Sequence, residues 1–314
     1  MECLHFKPCR GDQDLWMRPA VDKNGNEYWE YVCLYTDDAL VISVDPEHII
    51  RKQLGKYWTI KEESIASPNI YLGNKVSHMT MENGAKAWGL SSSQYVQASV
   101  ANVEKYLARR DMRLPKKASS PLTKGYRPEL DTTPELDKTE ASYYMSLIGI
   151  LRWIVELNRI DIAVEVSMMA SVMALPRKGH LDQLFHMFGF LKIKHNAELI
   201  LDPSYPEIDK SSFEKKDWTH SVYGEIKEEV ISDTDPDYRK PRGKGFVIRA
   251  YVDSDHAGDS VTRRSRTGFV VLVNCAPIYW FSKKQAGVET STFGSKFLAI
   301  KTCFEYLRGL GYKL

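Results

Sequence analysis

Tyr31-Val32-Cys33-Leu34-Tyr35-Thr36-Asp37-Asp38-Ala39-Leu40-Val41-Ile42-Ser43 is the stretch that decides the fold. Aromatic and β-branched residues fill Tyr28 to Leu34, and an apolar run fills Ala39 to Val44. Apolar runs on either side of a short polar turn predict a β-hairpin with Tyr35-Thr36-Asp37-Asp38 at its tip. Two adjacent aspartates repel each other, a cost that a bound cation relieves. Magnesium prefers carboxylate and phosphate oxygens, so Asp37 and Asp38 are candidate ligands for phosphoryl-transfer chemistry. On the pair of aspartates alone, a solvated Asp-Asp turn is the simpler reading.

Working outward, Asn24-Gly25 marks a tight turn before this hairpin, because both residues tolerate positive φ. A second hairpin is predicted from Ile70–Met81 and Ala85–Leu90 around Asn83-Gly84. Ser91 with Gln94 resembles a capping box, and Val96, Val100, Val103 and Leu107 then recur at helical spacing. Residues 116–134 are rich in Pro, Ser and Lys and read as a connector. Asp137 with Glu140 opens a helix carrying Leu147, Leu151, Ile154 and Val155. Further helices are predicted over 161–174 and 181–194, the latter with Leu184, Phe185, Phe188 and Leu191 on one stripe. Such stripes predict buried core. Residues 202–244, with four prolines among mixed charges, read as a long, partly disordered insertion or linker. Strands are predicted again at Val247–Asp255, Thr267–Val273 and Ala276–Ser282, followed by a helix from Ser291 to about Leu310. Three strands and a helix make the front half of an α/β domain. No internal repeat is present.

The 314 residues suffice for two cores, and 43% apolar with 27% charged residues is ordinary for a soluble globular protein. No apolar run approaches a membrane span, and the opening residues lack a signal-peptide pattern. Five scattered cysteines, with no Cys-x-x-Cys pair, argue against a disulfide framework or zinc site and for a reducing, intracellular compartment. A net charge of +2 argues neither for nor against nucleic-acid binding. Basic clusters stand at Lys116-Lys117, 239–244, 263–266 and Lys283-Lys284, and are most simply solvated faces.

The Tyr-x-Asp-Asp hairpin resembles the polymerase palm motif of reverse transcriptases, in the form found in copia-type retrotransposon Pol polyproteins. Asp14-Leu15-Trp16-Met17-Arg18-Pro19, Tyr71-Leu72-Gly73, Ser146–Trp153 and Arg159-Ile160-Asp161-Ile162-Ala163 fit the same family, with Thr36 and Ile160 at positions where Val and Pro are more usual. Tyr251-Val252-Asp253-Ser254-Asp255-His256-Ala257-Gly258-Asp259 resembles the strand bearing the first catalytic aspartate of ribonuclease H, and Arg264–Phe269 and Tyr279–Gln285 continue the likeness. His256 alone reads as structural.

The resemblance implies an α+β fold: a partial polymerase palm with β-hairpins, a helical thumb or connection region, then the N-terminal half of a ribonuclease H-like α/β domain. The implied boundaries are 1–110 for palm and start of thumb, 111–201 for the helical region, 202–245 for a variable linker and 246–314 for the ribonuclease H part. It implies Asp37 and Asp38 as Mg²⁺ ligands, Tyr35 beside the primer end and Asp253 as a second-site Mg²⁺ ligand. RNA template, DNA primer, dNTP and RNA–DNA hybrid are the implied partners, with remaining Pol segments, in a cytoplasmic particle or the nucleus.

Two departures qualify this. The family's upstream palm aspartate has no counterpart among Asp12, Asp14 and Asp22, none of which follows the expected strand pattern. The family's Ser-Thr-x-x-x-Glu reads Ser291-Thr292-Phe293-Gly294-Ser295-Lys296, so an ammonium that would repel Mg²⁺ and pair with Asp253 takes the glutamate position. Glu289 precedes the helix, and Glu305 lies over two turns beyond Lys296. The expectation is a fragment inactive alone. The alternatives are a non-catalytic nucleic-acid-binding or domesticated remnant, and a non-functional pseudogene product. An exposed palm edge would favour association.

Overall fold

The computed structural model describes all residues except Arg10, Asp37, Lys210, 212–241 and 312–314. Most of the predicted insertion therefore lies outside the described residues. The chain divides into two units: Met1–Ile65 forms the bulk of the first, and Ala66–Ser204 with the chain from Val247 onward forms the second.

The first unit is built on the deciding hairpin. Strands β3 (Glu27–Tyr35) and β4 (Asp38–Ile42) pair antiparallel, with Tyr35 opposite Asp38 and Cys33 opposite Leu40. Strand β2 (Leu15–Val21) lies along the other side of β3, and β1 (Lys7–Pro8) completes the order β1-β2-β3-β4. Gly25, at φ 82°, makes the turn between β2 and β3. Arg18 and Glu30 face each other across β2 and β3 in an ion pair of 2.5 Å, with the guanidinium 4.3 Å from the Phe6 ring centre. Phe6, Val32, Ile49 and Leu54 are the buried core. A short helix, α1 (Pro46–His48), runs on into a π turn over Ile49–Gln53. Asp45 accepts from the His48 amide and Pro46 opens the helix.

In the second unit, the stretch predicted as one strand over 70–81 is cut. Leu72 (φ 48°) and Gly73 (φ 81°) make a tight turn between β5 (Ile70–Tyr71) and β6 (Asn74–Thr80). Strand β7 (Lys86–Ser91) follows, and β8 (Leu199–Leu201) joins its free side. Helix α2 spans Ser93–Ala108. The expected Ser91–Gln94 capping box does not form, because Ser91 ends β7. The Ser92 hydroxyl at the helix start donates to Asn158 Oδ1 at 2.7 Å instead.

Helix α3 (Lys138–Leu157) is capped by Asp137, which accepts from the Glu140 amide at 2.8 Å. Helix α4 (Ala163–Ala170) is shorter than predicted, preceded by a 3-10 turn at Ile160–Ile162, and α5 (Lys178–Ile193) starts three residues earlier than predicted. The predicted stripes form one core: Val96, Val100, Val103 and Leu107 meet Leu147, Leu151, Ile154, Leu184, Phe188 and Leu191.

Strands β9 (Ile248–Asp255), β10 (Arg266–Val273) and β11 (Ala276–Lys284) form an antiparallel sheet in the order β11-β10-β9. Helix α6 (Thr292–Gly311) packs on one face through Cys303 and Leu310 against Phe269 and Val271, with Tyr306 stacked on Tyr279 at 3.8 Å. From β11, the Trp280 indole N–H donates to Val155 O at 3.1 Å, and Ser282 O accepts from Ser167 at 2.6 Å. The sheet is thus fixed to α3 and α4. The whole is α+β: three antiparallel sheets and six helices among the described residues.

Candidate functional site

The antiparallel register of β3 and β4 carries Tyr35 and Asp38 to the same end of the sheet, facing each other across the hairpin tip. Tyr35 is exposed, as is Asp38 at the start of β4. Thr36 sits in the left-handed region at φ 53°, strained for a β-branched residue. Asp37 lies outside the described residues. The same sheet end holds Asp14, whose carbonyl accepts the Leu34 amide at 2.9 Å, and Asp12, which accepts from the Asp14 amide at 3.1 Å. Burial first, then the charge of Asp12, pushes the Cys33 thiol up. Asp22 stands at the far end of β2, where the Asn26 side chain and backbone hold its carboxyl below the ordinary value. Asp14 directly precedes β2, in which Arg18 and Pro19 interrupt a clean alternation.

Asp253 lies in the second half of β9, opposite Gly268, with its side chain 73% exposed. Lys296, in the first turns of α6, places its Nζ 3.1 Å from Asp253 Oδ1. The Ser254 backbone N–H, followed by Lys296, holds this carboxyl below its usual range. Glu305 is directed to Lys301 at 3.7 Å, and Glu289 lies against Gly294 at the start of α6. One carboxylate neutralised by an ammonium does not fit a magnesium ion, which needs several oxygen ligands. Among the described residues, no three His, Cys, Asp or Glu side chains come together as a metal site.

Lys284 and Arg266, read from the sequence as members of solvated basic clusters, take part in a network of ion pairs and hydrogen bonds. Lys284 pairs with Asp259 at 2.8 Å, and Asp259 also accepts the Thr262 amide at 2.7 Å. Partial burial pushes the Asp259 carboxyl up, but these partners outweigh it and hold it at about 2. Arg266 donates to Ser167 at 2.5 Å, and its amide donates to Asp255. Arg127 donates to Gly258 O at 2.6 Å, and Glu129 accepts from the Ser260 amide at 3.1 Å. These contacts fasten the β9–β10 loop to the segment before α3. His256 is exposed in that loop. No described helix is long and apolar enough to cross a membrane.

Comparison with known proteins supplies what geometry alone does not. The chain is 22% identical over 272 residues to the retrovirus-related Pol polyprotein from transposon RE1 of Arabidopsis thaliana, covering 86% of this chain and 15% of that protein. It is 25% identical over 272 residues to the Pol polyprotein from transposon TNT 1-94 of Nicotiana tabacum, covering 85% of this chain and 17% of that protein. A putative transposon Ty5-1 protein of Saccharomyces cerevisiae is 24% identical over 285 residues, covering 89% of this chain and 73% of its own length. The chain thus spans under a fifth of the two plant polyproteins. No protein-family profile and no solved structure matches it. Along most of its length the chain is similar to retrovirus-related Pol polyproteins of transposons.

Proposed function

We propose that this chain corresponds to the later part of a reverse transcriptase followed by the first part of a ribonuclease H-like domain. In the parent polyprotein these parts would serve RNA-directed DNA synthesis and hydrolysis of the RNA–DNA hybrid. The observation that carries the reading is the Tyr35–Asp38 hairpin tip, with strands in register on both sides. Asp37 and Asp38 are the proposed ligands of Mg²⁺ there, Tyr35 the contact to the primer end, and dNTP, DNA primer and RNA template the proposed substrates. Asp253 is the proposed remnant of the hydrolytic site, within an intracellular setting.

On this reading the chain alone cleaves no hybrid, because Lys296 occupies the place of a metal-binding glutamate and already pairs with Asp253. The same pair favours a second reading, that the chain retains duplex binding without catalysis. Its exposed lysines and arginines would then hold the phosphates of an RNA–DNA duplex. Primer-extension and hybrid-cleavage assays with the full chain in Mg²⁺ test the first reading, and robust activity in either overturns the inactivity. Filter binding to an RNA–DNA duplex tests the second. Affinity that does not fall as salt rises rules out phosphate-led binding.

A further inference from the structure

Helix α6 has two apolar faces, and only one is used. Ser295, Ala299, Cys303 and Leu310 are buried, with Cys303 and Leu310 on the sheet. Phe293, Phe297, Ile300 and Phe304 are 77%, 60%, 53% and 52% exposed. Their spacings of four, three and four residues are those of a coiled-coil seam, which keeps one stripe of a helix toward a partner helix. The rings of Phe293 and Phe297 already stack at 6.1 Å, so the stripe is a continuous surface. Singly exposed apolar residues are ordinary, whereas a contiguous row of three phenylalanines and an isoleucine marks an interaction site.

The charges beside the seam specify the partner. Lys296 flanks it on the side toward the sheet, and Lys301 and Arg308 flank it on the other. The acidic residue Glu305 stands one step farther out and is paired to Lys301. A second copy of α6 offers the same three cations beside its stripe and, in Glu305, an acid already paired to Lys301. A helix carrying acidic residues beside its own apolar stripe meets them with opposite charge.

We infer that the outer face of α6 is a docking surface for an amphipathic helix with an apolar seam and acidic flanks. Packing there buries the four exposed residues, while Lys301 and Arg308 select the partner and set its register. Lys296 keeps its bond to Asp253 at the border of the same surface.

The probes are two synthetic helical peptides with leucine at the seam positions, one flanked by glutamate and one by lysine, titrated into the full chain by fluorescence anisotropy. The glutamate-flanked peptide is expected to bind about tenfold or more tightly than the lysine-flanked one, with the gap narrowing in high salt. Phe297→Ser with Phe304→Ser, at exposed positions that leave the core intact, should lose that binding. Lys301→Glu with Arg308→Glu should reverse the preference without disturbing the seam. Equal affinity for both peptides, or no binding of either, overturns the inference. So does a chain dimer, seen by light scattering, that Phe297→Ser with Phe304→Ser dissolves, since the occupant would then be a second copy.

Discussion

Lys296 Nζ lies 3.1 Å from Asp253 Oδ1, joining the first turns of α6 to the second half of β9. Both side chains are more than half exposed, so the pair adds little to stability. Its consequence is chemical. It sets a positive charge beside Asp253, and so turns a cation-attracting point on the sheet into a neutral one.

Removing the ammonium should raise the Asp253 carboxyl. In Lys296→Ala the pKa is expected to climb toward the ordinary aspartate value without reaching it, because the Ser254 N–H still lowers it. A carbon-detected NMR titration of Asp253 reads this directly, and an unchanged midpoint would show that the pair does not persist in solution. Lys296→Glu should still cleave no hybrid, since two carboxylates alone do not complete a two-metal set. Hybrid cleavage by that variant would refute this account of the site.

Local patterns made much of the fold legible, and long-range pairings did not. The β3–β4 hairpin, the stripe on α3 and the strands β9 to β11 each carry their period within a few residues. The turn at Leu72-Gly73 was missed because leucine rarely adopts φ 48° and so gives no turn signal. Strand β8 was missed because Leu199–Leu201 finds its partner in β7 across more than a hundred residues. The pairing of Lys296 with Asp253 was readable, since two motif positions were being compared. The Asp259–Lys284 pair, which stands beside no expected catalytic position, was not.

Asn158 is the buried polar hub of the second unit. It accepts from Ser92 at 2.7 Å and donates to Asn74 Oδ1 at 3.0 Å and Leu90 O at 2.8 Å, fastening the end of α3 to β6, β7 and α2. Asn158→Ala leaves these groups buried without their partner, at a cost of about 2–4 kcal/mol. Urea unfolding followed by near-ultraviolet circular dichroism checks this, and a loss below about 1 kcal/mol would mean that water replaces the side chain.

Thr36 should be a site of gain. Asparagine tolerates the left-handed region far better than threonine, so Thr36→Asn is expected to stabilise the hairpin by about 0.5–1 kcal/mol. Hydrogen exchange at the Cys33 and Leu40 amides should slow by roughly two- to fivefold. Faster exchange would show that Thr36 makes a contact that outweighs its backbone strain.

Asp259 gives the fold a pH-dependent increment with a definite sign. Its folded carboxyl sits at about 2, below the ordinary aspartate value, held there by Lys284 and Thr262 against partial burial. A folded value below the unfolded one means that the stabilisation is complete above about pH 4 and is lost as pH falls toward 2. With the Asp259 side chain only 10% exposed and Lys284 23% exposed, the increment is expected to be about 1–2 kcal/mol at neutral pH. Asp259→Asn keeps an oxygen for the Thr262 amide but removes the charge that meets Lys284. The variant should therefore be less stable than the parent at pH 7, with the difference shrinking steadily between pH 4 and pH 2. Parallel denaturant titrations across that range measure it. A gap that stays constant with pH would show that the loss comes from packing or hydrogen-bond geometry and not from the ion pair.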